Sequence, residues 1–123
     1  MSADLDVLFA RCEPNVRAAY DAVIAACRGL GPVVEEPKKT SVHLVAGSAF
    51  AGAHPQKSKL RLNIRLDEAL TGPRIRKSER VSAHRFHNEV DLAGPHDVDG
   101  ELTGWLRRAH GLSAGRRDAG STA

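Results

Sequence analysis

Between Ser58 and Leu66 every second residue is apolar. Leu60, Leu62, Ile64 and Leu66 alternate with Lys59, Arg61, Asn63 and Arg65. A period of two belongs to a β-strand, whose side chains point to opposite faces in turn. One face of such a strand meets a core and the other meets water, as in antiparallel sheets covered on one side. This strand therefore demands a covering layer, and the flanks of the chain supply one. After Glu13-Pro14-Asn15, the apolar residues Val16, Ala19, Tyr20, Val23, Ile24, Cys27 and Leu30 recur at helical spacing. Pro is at home in a first turn, and Gly29, Gly31 and Pro32 end the helix. Near the other terminus, Val98, Leu102, Trp105, Leu106 and Ala109 form a second stripe, opened by Asp97 and Asp99 and stopped by Gly111. A short helix over residues 4–10 precedes both.

Further strands read from Thr40 to Ala46, Ala49 to His54 and His84 to Leu92. In the last, Phe86, Val90 and Leu92 point inward while Arg85, His87, Glu89 and Asp91 point outward. Residues 67–80 (DEALTGPRIRKSER) lack a period and read as a long basic loop. Hairpin-length connections favour antiparallel pairing. The expectation is a two-layer α+β domain: an antiparallel meander of about four or five strands, with N-terminal and C-terminal amphipathic helices on one face. A chain of 123 residues suits one such domain, spanning 1–112, with a disordered tail over 113–123.

The segments LGPVVEEPKKTSVHLV, FAGAHPQKSKLRLNIRL, PRIRKSERVSAHRFHNEVDL and DVDGELTGWLRRAHGLS resemble an uncharacterised bacterial family, domain of unknown function 5655. The resemblance covers about residues 30–113. It implies a small α+β fold that occurs alone or as a C-terminal module, and it brings no catalytic residues.

Charge is unevenly spread. Residues 1–37 carry a net −3, residues 38–87 a net +8 and residues 88–123 a net −2. The basic middle coincides with the strands. Lys59, Arg61 and Arg65 share one strand face, about 6.6 Å apart at every second position. Lys38, Lys39, Lys57, Arg74, Arg76, Lys77, Arg80 and Arg85 would widen the patch. Such a face suits an anionic partner, a nucleic acid or an acidic protein. It lacks the outward aromatics that single-strand binders stack on bases. A second candidate is a pocket at the sheet rim formed by Phe50 and His54, read as sharing a face, with His87 nearby and Lys57 in the adjoining turn. It would serve an enzyme or binder of a phosphorylated or carboxylated small molecule.

The sequence offers little for metal or nucleophile chemistry. His84-x-x-His87 straddles a strand, and His87, Glu89 and Asp91 share a face but alternate as any polar strand does. Glu35, Glu36 and Lys38 contain the E-x-K form of metal-dependent nucleases, but Pro37 suits an edge strand. No phosphate-binding glycine loop, nucleophile elbow or zinc-protease helix is present. The expectation is a non-enzymatic binding module without cofactor or metal. Cys12 and Cys27 read as reduced core cysteines, which points to a cytoplasmic setting. No apolar run suits a membrane span. Pairing of edge strands into a homodimer is a further expectation.

Overall fold

A computed structural model of the chain describes residues 3–122, with side chains over residues 4–114. Helices α1 (Ala3–Phe9) and α2 (Pro14–Arg28) come first. Strands β1 (Val34–Pro37), β2 (Val42–Ala46), β3 (Ser48–Pro55), β4 (Leu60–Leu66), β5 (Ile75–Ser82) and β6 (Arg85–Leu92) follow. A 3₁₀ turn at Pro95–Asp97 leads into α3 (Gly100–Thr122). The fold is α+β, with the helices on one face of a six-stranded antiparallel sheet. The expected disordered tail, 113–123, falls mostly outside the residues whose side chains are described. Ser113 is described, and it is buried within α3.

The sheet order is β1-β2-β3-β4-β6-β5. The first four strands form the expected meander. The chain then passes over β6 and returns, so that β6 lies between β4 and β5. The basic stretch at 67–80 is therefore only partly a loop, because its second half is the edge strand β5. Its pattern was illegible because β5 has no covered face: all eight residues are exposed or half-exposed. With nothing to bury, a strand needs no alternation.

The core lies between the sheet and the helices. Val42 and Leu44 of β2, Ala51 and Ala53 of β3, Leu60, Leu62 and Ile64 of β4, and Val90 and Leu92 of β6 are all buried. Val16, Ala19, Tyr20, Val23 and Cys27 of α2 and Leu102, Leu106 and Ala109 of α3 meet them. Leu62→Ala should lower the unfolding free energy by about 3 kcal/mol, as large-to-small core changes do, and urea unfolding would measure it.

Polar anchors fix the layers. The Asn15 amide donates to the carbonyls of Ser58 (2.9 Å) and Ala93 (2.6 Å), tying the start of α2 to two strand ends. Asp99 caps α3 by accepting from the Leu102 N–H at 3.0 Å. Gly31 turns the chain into β1 at a φ of 151°, where a Cβ would stand 3.1 Å from the His110 ring. Gly111 does not stop α3, which runs through it.

At the β6 end of the core face the 67–74 loop adds cover, with Leu70 packed against the core. The loop's organiser is Asn88, fully buried opposite Ile64. The Asn88 Oδ1 accepts from the Leu70 N–H at 2.9 Å and the Ser78 hydroxyl at 2.6 Å. Its Nδ2 donates to the Glu68 carbonyl at 3.2 Å and, more weakly, to that of Ile64 at 3.5 Å.

Candidate functional site

The opposite face of the sheet carries the polar half of each alternation. Register fixes which residues meet. One row across the strands reads Glu36, His43, Gly52, Asn63, Glu89, Lys77. The row on one side reads His54, Arg61, Asp91. The row on the other reads Arg65, His87, Glu79.

Five of the eleven cations of the expected basic patch, Lys38, Lys59, Arg61, Arg74 and Arg76, are paired with carboxylates. Arg61 donates to Asp91 at 2.9 and 3.5 Å, and the Lys59 ammonium sits 3.2 Å from the same carboxylate. Burial alone would raise the Asp91 carboxyl, but these two donors hold it below the usual carboxylate range. Arg76 pairs with Glu89 at 2.9 Å, and Lys38 lies 3.6 Å from Glu36. Arg74 faces elsewhere altogether. It binds Asp99 (2.9 Å), Glu101 (3.1 Å) and the Asp97 carbonyl (2.7 Å), and lies over the Trp105 ring. It straps the loop to α3. Lys39 and Lys57 stand exposed on turns.

Among the described residues Lys39, Lys57, Arg65, Lys77, Arg80 and Arg85 have no carboxylate partner, and of these Arg65 is the one with a buried, unpartnered nitrogen. Among the described residues it makes no ion pair. Its one hydrogen bond is a long 3.5 Å contact to the Ala49 carbonyl, and its Nε is buried without a partner. Burial, and secondarily the charge of Arg85, lower its pKa. Arg65 and Arg85 together line a small cleft at the sheet end with Ala49, Leu66, Leu112 and Ser113.

Two imidazoles, His87 and His43, lie near this guanidinium, and His54 lies further along the face, opposite Arg61. His87 lies directly opposite Arg65 on β6. His43 leans in from β2 across Gly52, where the missing side chain leaves room. A Cβ at Gly52 would meet only His54 Nε2 at 3.7 Å and His43 Cδ2 at 3.9 Å. Burial first, then Arg65, then Lys38 hold the His43 pKa below its ordinary value, and Glu36 only partly offsets them. His87 is lowered by burial, Arg65 and Arg85, against opposing Glu79 and Glu89. At the centre, the Asn63 Oδ1 is buried with no partner.

Arg61, Arg65, Arg85 and His87 are thus brought to one face, as the alternation implies, and His54, read as sharing a face with Phe50, lies there too. Phe50 does not. A β-bulge between β2 and β3 pairs Val45 with Ala49 and Leu44 with Ala51, leaving Phe50 as the extra residue. It turns into the core and meets the His110 ring edge-on at 5.3 Å. The idea that Phe50 and His54 share a pocket therefore fails. His43 and Asn63 were visible as outward residues of their strands. The signal that singles them out, proximity to Gly52 and Arg65, exists only in register.

Metal chemistry finds no cluster. Among the described residues, no three His, Cys, Asp or Glu side chains are grouped to hold an ion. Glu35 and Glu36 face opposite sides of β1. Glu35 pairs with Arg28 at 2.7 Å and accepts the Tyr20 hydroxyl, while Glu36 lies opposite His43 on the other face. They cannot share a cation. No helix of the described residues is long and apolar enough to cross a membrane.

No curated protein and no solved structure matches the chain. A family model does, from Asp6 in α1 to Ser113 in α3, and so takes in every strand and helix core described above. The chain belongs to that family, described as domain of unknown function (DUF5655), by a match over residues 6–113.

Proposed function

We propose that the domain is a binding module for a small anion, held on the uncovered sheet face by Arg65 with His43, His54 and His87. The observation that carries this is Arg65 itself. It is a half-buried guanidinium without a carboxylate, on a face where Arg61, Lys59 and Arg76 all have one. A desolvated charge left unpaired costs free energy, and an anion that pairs it recovers that cost. Gly52 lets the His43 and His54 rings stand close over the sheet, and imidazoles add donors when protonated.

This narrows the broader reading of a basic face for nucleic acid. A duplex tracking the sheet would need the cations that Asp91 and Glu89 already occupy. Fluorescence anisotropy with short DNA and RNA at ~50 and ~200 mM salt separates the two. A compact site making about one phosphate contact gives a logarithmic salt slope near −0.9, against a slope several times steeper for a tracked backbone. A steep slope abolished by Arg61→Glu would restore the nucleic-acid reading.

Acidity should strengthen the site. Sulfate is the clean probe, since it does not titrate here. His43 and His87 are held neutral by burial and by Arg65, so the unfolded chain binds protons that the folded chain refuses. Folding stability should therefore fall as pH drops below about 6.5. Bound sulfate favours the imidazolium forms and reverses the loss. Calorimetric affinity for sulfate should rise from pH 8 to pH 5.5, by about tenfold for each imidazole whose pKa climbs one unit on binding. Affinity that ignores pH would remove the histidines from the site.

A further inference from the structure

Resting on that anion-site reading, we infer that the ligand is a hydroxylated monophosphate, a sugar or polyol phosphate, with its anionic head at Arg65 and its hydroxyls on the Asn63 amide above Gly52.

The argument begins with Asn63. It occupies the middle of the sheet, between Gly52 and Glu89, on the face opposite the helix-covered core. Among the described residues its amide makes no hydrogen bond to the protein, and its Oδ1 is buried. Buried polar groups are almost always paired, so an unpaired amide at the centre of a regular sheet asks for a partner. No layer of secondary structure covers the atom.

An amide is both donor and acceptor, and so is a hydroxyl. A bare phosphate oxygen only accepts when ionised, so it satisfies half of the amide at most. Asn63 and Arg65 are two apart on β4, about 6.6 Å along the strand. A phosphate ester and a hydroxyl a few bonds away span that distance. Gly52, beside Asn63, contributes no side chain, and the His54 and His43 rings stand 3.7 and 3.9 Å from where its Cβ would be. Both imidazoles can hydrogen-bond further hydroxyls.

Charge sets the other end of the ligand. Glu89 lies directly opposite Asn63 and pairs with Arg76 at 2.9 Å. A second phosphate there would meet a negative group, whereas an uncharged hydroxylated end would not. The site thus distinguishes a monophosphate with a neutral tail from a bisphosphate.

The test is calorimetry on the full chain at pH 7, with inorganic phosphate, ribose 5-phosphate and fructose 1,6-bisphosphate as probes. Ribose 5-phosphate should bind about tenfold tighter than inorganic phosphate through the added hydrogen bonds, and the bisphosphate no tighter than the monophosphate. Asn63→Leu keeps the volume and removes the amide. It should leave inorganic phosphate within about twofold and erase the sugar-phosphate advantage. Gly52→Val, which fills the floor at ordinary contact distance, should erase it too. A wild-type protein that binds both probes equally overturns the hydroxyl inference alone. So does an advantage that survives both substitutions. If neither probe binds at all, the anion site beneath it falls as well.

Discussion

Replacing Asn88 with alanine is expected to cost about 3 kcal/mol of folding free energy, a large share of the 5–15 kcal/mol that holds a domain of this kind together. The side chain is fully buried and serves four backbone and side-chain groups at once. Alanine leaves the Leu70 N–H, the Ser78 hydroxyl and the Glu68 carbonyl to find other partners. Each buried group left unpaired costs about 1–3 kcal/mol, although water entering the cavity recovers part of the sum. The loop it holds places Leu70 against the core, so the loss should be structural as well as energetic. Urea unfolding should show the midpoint falling by roughly 2 M for a typical slope in urea. Amide exchange should quicken at Leu70 and along β5 before the rest of the sheet. A midpoint within about 0.5 M of wild type would mean that the hub is dispensable.

The second large effect should fall on binding while stability holds. Arg65→Gln is expected to weaken sulfate or phosphate binding roughly 10- to 100-fold, the worth of a charge-assisted hydrogen bond. It should leave the thermal midpoint unchanged or slightly higher. The sign follows from the environment. Arg65 is desolvated, lacks a carboxylate and faces Arg85, so removing its charge relieves a cost in the free protein. Arg61→Gln should do the reverse. It breaks the pair with Asp91 and leaves anion affinity nearly intact. A loss of stability in Arg65→Gln comparable to that in Arg61→Gln would make Arg65 a structural residue.

The contrast between these two arginines shows where the sequence was legible. Alternation from Lys59 to Leu66 correctly sorts the strand into a core face and an outer face, and Leu60, Leu62 and Ile64 are fully buried as it demands. The amphipathic stripes of α2 and α3 likewise identify the covering layer, because a periodic apolar set states which face is buried. Two features escaped. β5 escaped because a strand exposed on both faces has no period to read. Asn88 escaped because it breaks an apolar alternation, and only the loop chemistry above it explains why a polar residue sits there.

The charge pattern misled for a topological reason. Along the chain, the positive middle is separate from the acidic last third. In space, β6 is inserted between β4 and β5, so Glu89 and Asp91 lie between Arg61 on one side and Arg76 on the other. Five of the eleven cations in a linear block of +8 are paired with carboxylates. Arg65 remains because His87, and not a carboxylate, is its neighbour on β6.

The two sheet edges bear on how the molecule behaves among its own copies. β1 is four residues long and ends in Pro37. β5 breaks register twice, around Arg76 and Val81, and carries Arg76, Lys77, Glu79 and Arg80 along its exposed length. Bulges, proline and lysine are the devices that stop one sheet from adding to another. Strand-to-strand homodimers thus find poor purchase at either edge. The interior of the sheet is different. β4 and β6 hold long runs of paired backbone and apolar side chains, and they are shielded only while their neighbours stay in place. Shearing off β5 would turn β6 into a flat, sticky border. A charged strand that contributes little to the core should therefore matter most as a guard against association of one sheet with another.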